Sequence, residues 1–135
     1  MYQEHLLHLS RDTAHRRPPA ADSRRAERRN PACGDEIELA VTADDGTLQI
    51  SYTAQACAVT LASAAALARG ISGCSLPLAR DRLREAQDFF ARSAPWSADW
   101  GDPDLPALGE FRAFPMRMAC VRLPWEALAA IIAAV

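Results

Sequence analysis

The chain has 135 residues, of which 50% are hydrophobic, and its formal net charge is −2 at pH 7. This composition predicts one globular domain over residues 1–135, because disordered chains have too few apolar residues to form a core. The small negative charge argues against a general nucleic-acid binder, and no apolar run reaches the roughly 18 residues that a membrane-spanning helix needs. The first residues do not resemble a secretory signal, so we expect a cytoplasmic protein with reduced thiols.

The first half of the chain predicts a helix followed by a β-hairpin. Apolar residues at near-helical spacing predict a short amphipathic helix over 2–10. Residues 11–29 are rich in arginine, alanine and proline, which predicts a linker or irregular structure. Strict alternation of apolar residues predicts two antiparallel strands, 36–41 and 47–52, joined by a glycine-containing turn at 42–46. The apolar face of such a hairpin needs a cover, which the later helices can provide.

The second half of the chain predicts helices. Residues 58–69 are almost all small or apolar, which is typical of a buried central helix, and Gly70 is expected to end it. A second helix is predicted over 78–93, with charged residues on one face and Leu83, Ala86, Phe89 and Phe90 on the buried face.

A long irregular segment and a terminal helix complete the prediction. The prolines and glycines of 94–110 predict irregular structure, and Trp96 and Trp100 within it are interpreted as packing anchors. Pro124 fits the first position of a helix that continues to Val135. Cys120 would then stand just before this helix.

The four cysteines are the main candidates for chemistry, although they lie far apart: Cys33, Cys57, Cys74 and Cys120. Without a C-x-x-C pair, their spacing alone is a weak metal signal. The surroundings of Cys33 are more informative, because Gly34 permits a tight turn in which Cys33 and Asp35 point to one side. A thiolate and a carboxylate so placed are half of a tetrahedral metal site. Cys57 falls at the start of a predicted helix, where the dipole favours a thiolate, but inert buried cysteines also occur at such joints.

Other residues with possible metal or thiol chemistry are assigned structural roles. Cys74 lies outside every motif and is interpreted as a small buried residue. His5 and His8 are three residues apart on the first helix, where a surface pair is commoner than a metal-binding pair. Met116 and Met118 are interpreted as core residues.

Three stretches resemble the U-type iron–sulfur cluster assembly proteins and occur in the order of that family. They are Asn30-Pro31-Ala32-Cys33-Gly34-Asp35, Cys57-Ala58-Val59-Thr60-Leu61-Ala62-Ser63, and Arg117-Met118-Ala119-Cys120 with Leu123-Pro124-Trp125-Glu126-Ala127-Leu128. The opening residues 2–8 also resemble the first helix of the family. The resemblance covers nearly the whole chain and implies an α+β fold of the SufE/NifU type, in which a small antiparallel sheet of about three strands packs against helices.

Within this family the sequence is similar to the SufU branch, which binds zinc and relays sulfur. The scaffold branch, formed by IscU and the N-terminal domain of NifU, has a histidine directly before the last cysteine, where this chain has Ala119. It also has a shorter segment between its second and third cysteines than Cys57 and Cys120 enclose here. Arg117 matches an arginine of the SufU branch, whereas Ala119 departs from the lysine that SufU proteins usually carry.

The resemblance implies that Cys33, Asp35, Cys57 and Cys120 hold Zn²⁺, or in the scaffold alternative a 2Fe–2S cluster. It implies a zinc-dependent sulfurtransferase in which Cys33 accepts persulfide sulfur from a SufS-type cysteine desulfurase and supplies a downstream Suf cluster-assembly complex. Our hypothesis is that a desulfurase ligand displaces Cys33 from the metal and frees it to attack. Two alternatives stay open: a scaffold on which a cluster is assembled and transferred, and a non-catalytic zinc-stabilised module that only docks on the desulfurase.

Overall fold

A computed structural model of the chain describes residues 2–92 and 100–135. Trp96, one of the two predicted packing anchors, lies outside the described residues. The elements, in chain order, are α1 (Tyr2–Arg11), β1 (Arg24–Asn30), β2 (Asp35–Asp44), β3 (Thr47–Gln55), α2 (Ala58–Ile71), α3 (Leu76–Ala91), the 3-10 helix η1 (Leu105–Ala113) and α4 (Pro115–Ala133).

The three strands form one antiparallel sheet in the order β1-β2-β3. Leu39 in β2 lies opposite Ala26 in β1 and Tyr52 in β3, which fixes the register. Side chains alternate between the two faces of a strand, so one face of the hairpin carries a row of apolar residues. These residues are buried beneath the helices: Ile37, Leu39, Val41, Leu48, Ile50 and Tyr52. The predicted α+β fold, with its hairpin and helical cover, is confirmed.

The prediction of irregular structure for residues 11–29 is wrong in part, because the edge strand β1 begins within them. Its residues are mostly arginine and glutamate, and half-buried Ala26 is its only apolar side chain. Pairing with β2 through the backbone therefore forms the strand without an alternating sequence pattern. The segment before β1 also lies on the sheet, since the Tyr52 N–H donates to the His15 carbonyl (3.1 Å) and Arg17 N–H donates to the Tyr52 carbonyl (3.0 Å).

The turn of the hairpin is tighter than the predicted 42–46. The strands run on until only Asp45 and Gly46 remain between them, and both have positive φ, 53° and 79°. Two successive residues with positive φ give the type I′ turn that matches the twist of a hairpin.

Gly70 does not end α2, which continues to Ile71. Its role is to make room for a neighbour, because a Cβ on Gly70 would lie 2.5 Å from a ring carbon of Trp100. Trp100 in turn packs on Trp125, with ring centroids 6.1 Å apart. Trp100 is thus a packing anchor as predicted. Its ring can lie close to α2 because residue 70 is a glycine without a side chain.

The terminal helix begins at Pro115, so Cys120 lies inside α4 and not before it. Pro124 is an interior residue of this helix and has no N–H to donate to the carbonyl of Cys120, four residues earlier. Two hydroxyls of α2 lie at the carbonyls of this turn: Thr60 Oγ1 is 3.4 Å from the Cys120 oxygen, and Ser63 Oγ donates to the Val121 oxygen at 2.5 Å. The proline thus leaves the Cys120 carbonyl without its helical N–H donor, and the Ser63 hydroxyl of α2 binds the next carbonyl along the helix.

Two further predictions about the C-terminal half need correction. Residues 105–110 are not irregular, because they belong to η1. Met118 is buried as predicted, but Met116 is 72% exposed and is not a core residue. Among the described residues, none of the helices combines the length and the apolar character that spanning a membrane requires.

Candidate metal centre

Cys33 lies on the tight turn between β1 and β2. The Gly34 N–H donates to the Asn30 carbonyl at 2.8 Å, and Gly34 has a φ of +75°, a conformation that suits glycine. The Cys33 side chain is exposed. The sequence motif therefore forms the turn that it predicted, and the turn presents this thiol at the surface.

Asp35 begins β2 and is only 4% exposed. Its Oδ1 accepts the backbone N–H of Cys57 at 3.0 Å, while Oδ2 lies 3.1 Å from the Cys57 sulfur and accepts the Thr60 hydroxyl at 2.6 Å. Cys57 is the N-cap residue of α2 and is exposed. The carboxylate thus joins the start of β2 to the start of α2.

The environment keeps Asp35 ionised. Burial alone would raise the pKa of its carboxyl group, but hydrogen bonds from Thr60 and Cys57 outweigh burial and hold this pKa below its ordinary value. Donors aimed at a carboxylate favour its charged form. Asp35 therefore offers a fixed negative oxygen ligand.

Cys120 reaches the same place from α4 and is 5% exposed. Its sulfur lies 3.5 Å from the sulfur of Cys33 and 3.8 Å from the side-chain amide nitrogen of Asn30. Burial, followed by the hydrogen bond with Cys33 and by nearby Cys57, raises the pKa of the Cys120 thiol to about 12. A bound cation would reverse this penalty, because metal coordination favours the thiolate.

Three of the four residues singled out by the sequence come together at one end of the sheet: Cys33, Asp35 and Cys120 each place a ligand atom within 4.8 Å of the others. Cys57 lies outside this group of three and contacts it through Asp35, with its sulfur 3.1 Å from Oδ2. Two thiolates on one tetrahedral zinc lie roughly 3.8 Å apart for Zn–S bonds of about 2.3 Å, close to the 3.5 Å between Cys33 and Cys120. Three sulfurs and one carboxylate are a donor set that fits zinc.

Thr60 and Asn30 support the ligands, and the sequence reasoning assigned them no role. Thr60 is completely buried and lies against Asp35, Cys57 and Cys120. The sequence did contain a signal for Thr60, because a threonine one turn after Cys57 in an apolar helix needs a polar partner when buried.

The two residues near Cys120 that the family comparison singled out do not contact the ligands through buried side chains. Arg117 and Ala119 are both exposed.

Comparison with known proteins identifies similar sequences. Residues 1–89, which include Cys33, Asp35 and Cys57 but not Cys120, match the NifU-like N terminal domain family. The chain is 29% identical over 109 residues to the zinc-dependent sulfurtransferase SufU of Bacillus subtilis strain 168, covering 79% of this chain and 73% of that protein.

Solved structures establish the same fold. A candidate iron–sulfur cluster assembly scaffold protein for the SUF system from Fervidobacterium islandicum AW-1 superposes with a TM-score of 0.82 at 21% identity, over 96% of this chain and 94% of that one. A NifU-like protein (N-terminal) from Brucella abortus gives a TM-score of 0.80 at 23% identity, over 98% and 92% of the two chains. With a family match over more than half of its length and this fold, the chain belongs to the NifU-like N-terminal domain family.

Proposed function

We propose that this protein accepts sulfur at Cys33 from the persulfide of a SufS-type cysteine desulfurase and passes it on to iron–sulfur cluster assembly. In this proposal Cys33, Asp35, Cys57 and Cys120 hold one zinc ion. The likeness to the zinc-dependent sulfurtransferase SufU of Bacillus subtilis supports it. We also propose the cytoplasm as its location, since the reaction requires the free thiols that a reducing compartment maintains.

The observation that carries the proposal is the difference in exposure between two sulfurs that nearly touch. Cys33 and Cys120 lie 3.5 Å apart, but Cys33 is exposed on a glycine turn whereas Cys120 is buried in α4. Cys33 can therefore meet a donor sulfur from outside when a desulfurase ligand displaces it from the metal. This combination suits an acceptor better than a purely structural ligand.

Zinc would supply a positive charge that keeps the ligand sulfurs as thiolates near neutral pH. The chain's own residues then orient the reaction. Asp35, held by Thr60 and Cys57, keeps the start of β2 in place beside the Cys33 turn. Asn30 holds the turn by accepting the Gly34 N–H on its carbonyl, and its amide nitrogen approaches the Cys120 sulfur.

The transfer is a thiolate–disulfide type of exchange. The Cys33 thiolate attacks the outer sulfur of the desulfurase persulfide and forms a new S–S bond. The S–S bond of the donor breaks, and the donor cysteine leaves as a thiolate. The outer sulfur is thereby carried on Cys33 as a persulfide, and no external oxidant or reductant is consumed.

Two exposed apolar residues that precede Cys120 by six and four positions are the proposed contact with the desulfurase. Phe114 is 57% exposed and Met116 is 72% exposed. Met116 is one helical turn before Cys120, so both lie on the same side of α4. Contiguous exposed apolar surface often marks protein interaction sites, and the proposal requires Phe114 and Met116 to contribute to such a surface. Arg117, also exposed, adds a positive charge to this surface.

The test is persulfide transfer with a purified SufS-type desulfurase and cysteine, followed by mass spectrometry of this protein. We expect the wild-type chain to gain one sulfur atom and Cys33→Ser to gain none. Cys74→Ala is the matched control, because Cys74 is buried away from the site and contacts Gly70 and Arg82. Transfer to Cys33→Ser at the wild-type rate would contradict the proposal.

Metal analysis and an absorption spectrum of anaerobically purified protein separate the alternatives. Zinc without visible absorption is the expected result. Iron with acid-labile sulfide and a brown colour would identify a cluster scaffold that uses the same ligands. Zinc together with no sulfur transfer by the wild-type chain would leave a module that docks without accepting sulfur.

A further inference from the structure

A second group of metal-binding side chains lies between α1 and the start of η1. His5 Nδ1 is 2.6 Å and His8 Nδ1 is 3.5 Å from the same oxygen, Oδ1 of Asp104. The two imidazole rings stand nearly perpendicular, with centroids 6.5 Å apart. Together the three side chains offer ligand atoms that all lie within 4.8 Å of one another. The two histidines of α1 thus share one carboxylate oxygen.

Asp104 is fixed in place from its other side. Its Oδ2 accepts Arg69 Nη1 at 2.8 Å, and its backbone N–H donates to Asp102 Oδ1 at 3.0 Å. The oxygen that faces the histidines therefore belongs to a carboxylate that is oriented from its other side.

The local charge favours a cation. Arg69 is the only guanidinium recorded in this network of described residues, and it contacts three carboxylates: Asp12, Asp102 and Asp104. With neutral imidazoles, the network carries an excess of negative charge. Such an excess raises the local concentration of divalent cations.

We propose that His5, His8 and Asp104 form a second zinc-binding site with one coordination position open to solvent. Two imidazole nitrogens and one carboxylate oxygen are ligands that zinc accepts readily, and three protein ligands plus water are typical of an open zinc site. Residues three apart on a helix are neighbours on its surface, which lets His5 and His8 share one ion. Arg69 is a positioning residue for Asp104.

The second site is separate from the cysteine centre. Cys57 caps the start of α2, whereas Arg69 lies in its last turn. At 1.5 Å per residue, these two positions are about 18 Å apart along the helix. An ion at the histidines therefore shares no ligand with the cysteine centre, and each site can be removed without the other.

The test is a zinc titration of the full chain by calorimetry, with zinc bound per chain counted by elemental analysis. We expect wild-type protein to bind one more zinc than His8→Gln, and His5→Gln to weaken the second binding event at least tenfold. His8 is the better first substitution, because its side chain is 67% exposed and its loss leaves the core intact. His15→Gln is the matched control, because this third histidine lies outside the group, and it should bind like wild type.

The measured quantity is the difference in zinc bound per chain between wild type and the histidine variants. It therefore does not depend on whether the cysteine centre holds zinc. Cobalt offers a second readout, because an ion at the histidines lacks the thiolate-to-metal absorption of one bound by cysteines. Equal zinc content in wild type, His5→Gln and His8→Gln would overturn the proposal. The histidines would then act only as hydrogen-bonding partners of Asp104 that join α1 to η1.

Discussion

The hydroxyl of Thr60 lies 2.6 Å from Oδ2 of Asp35, and both residues are buried. This contact joins the first turn of α2 to the first residue of β2, and Cys57 shares the same carboxylate. A residue without a ligand atom of its own in the proposed zinc site thus determines where one ligand points. Mutation of such supporting partners typically lowers metal affinity by about 10-fold to 100-fold.

Replacing Thr60 with valine tests this role. Thr60→Val keeps the shape of the side chain but removes the donor to Asp35, so we expect zinc affinity to fall by about 10-fold to 100-fold. Chelator competition measures the change. Thr53→Val is the matched control, because Thr53 is half-buried on β3, and it should retain wild-type affinity. Unchanged affinity in Thr60→Val would show that Asp35 is positioned without the hydroxyl.

The exposed side chain of Met116 tests the proposed contact with the desulfurase. Met116→Glu should weaken sulfur transfer by about tenfold at limiting protein, a change that corresponds to about 1.4 kcal/mol of binding free energy, and zinc content should not change. Leu78→Glu is the control, because Leu78 is also exposed (42%) but lies on α3, close in sequence to Cys74. Equal losses in the two variants would argue against a specific surface at α4.

The Gly70→Ala variant tests whether the steric cost of packing against Trp100 exceeds the gain in helix propensity. Gly70→Ala would gain about 1 kcal/mol from propensity, but its Cβ would lie 2.5 Å from the Trp100 ring, and overpacking costs about 1–3 kcal/mol. We expect a net decrease in the free energy of unfolding, measured by urea denaturation. In a Trp100→Ala background the same substitution should be stabilising, because the ring is gone. A stabilising effect in both backgrounds would refute the packing explanation.

Arg69 tests the electrostatic network next to the histidines. Its guanidinium contacts Asp12 and Asp104, whose pKa values are held below the ordinary value by hydrogen bonds that outweigh burial. At neutral pH, Arg69→Gln should therefore lower the free energy of unfolding by about 2–3 kcal/mol.

The pH dependence has a definite sign. A carboxylate with a lowered pKa in the folded state stabilises the fold above its unfolded pKa of about 3.9, and this contribution is lost as the pH falls through the folded value. The difference between wild type and Arg69→Gln should thus be constant at neutral pH and shrink below about pH 4. Arg84→Gln, which removes an exposed pair with Asp81, should change stability little at any pH. A difference independent of pH would mean that Arg69 acts through packing.

Several features could be predicted from the sequence because local chemistry determines them. The alternation of Ile37, Leu39 and Val41 predicted a strand with one buried face, and the small residues of 58–69 predicted a buried helix. Gly34 predicted the turn that carries Cys33. Each of these signals lies within a few consecutive residues, so no knowledge of distant partners is required.

Other features were decided only by tertiary contacts. β1 carries no apolar alternation and is a strand because its backbone pairs with β2. Pro124 suggested the start of a helix, yet it lies inside α4, where the Ser63 hydroxyl of α2 binds the neighbouring Val121 carbonyl. The sequence by itself determined which residues carry thiols and carboxylates. Only the fold brings His5 to Asp104 and Cys33 to Cys120, because contacts between residues so far apart in the chain depend on how the helices pack on the sheet.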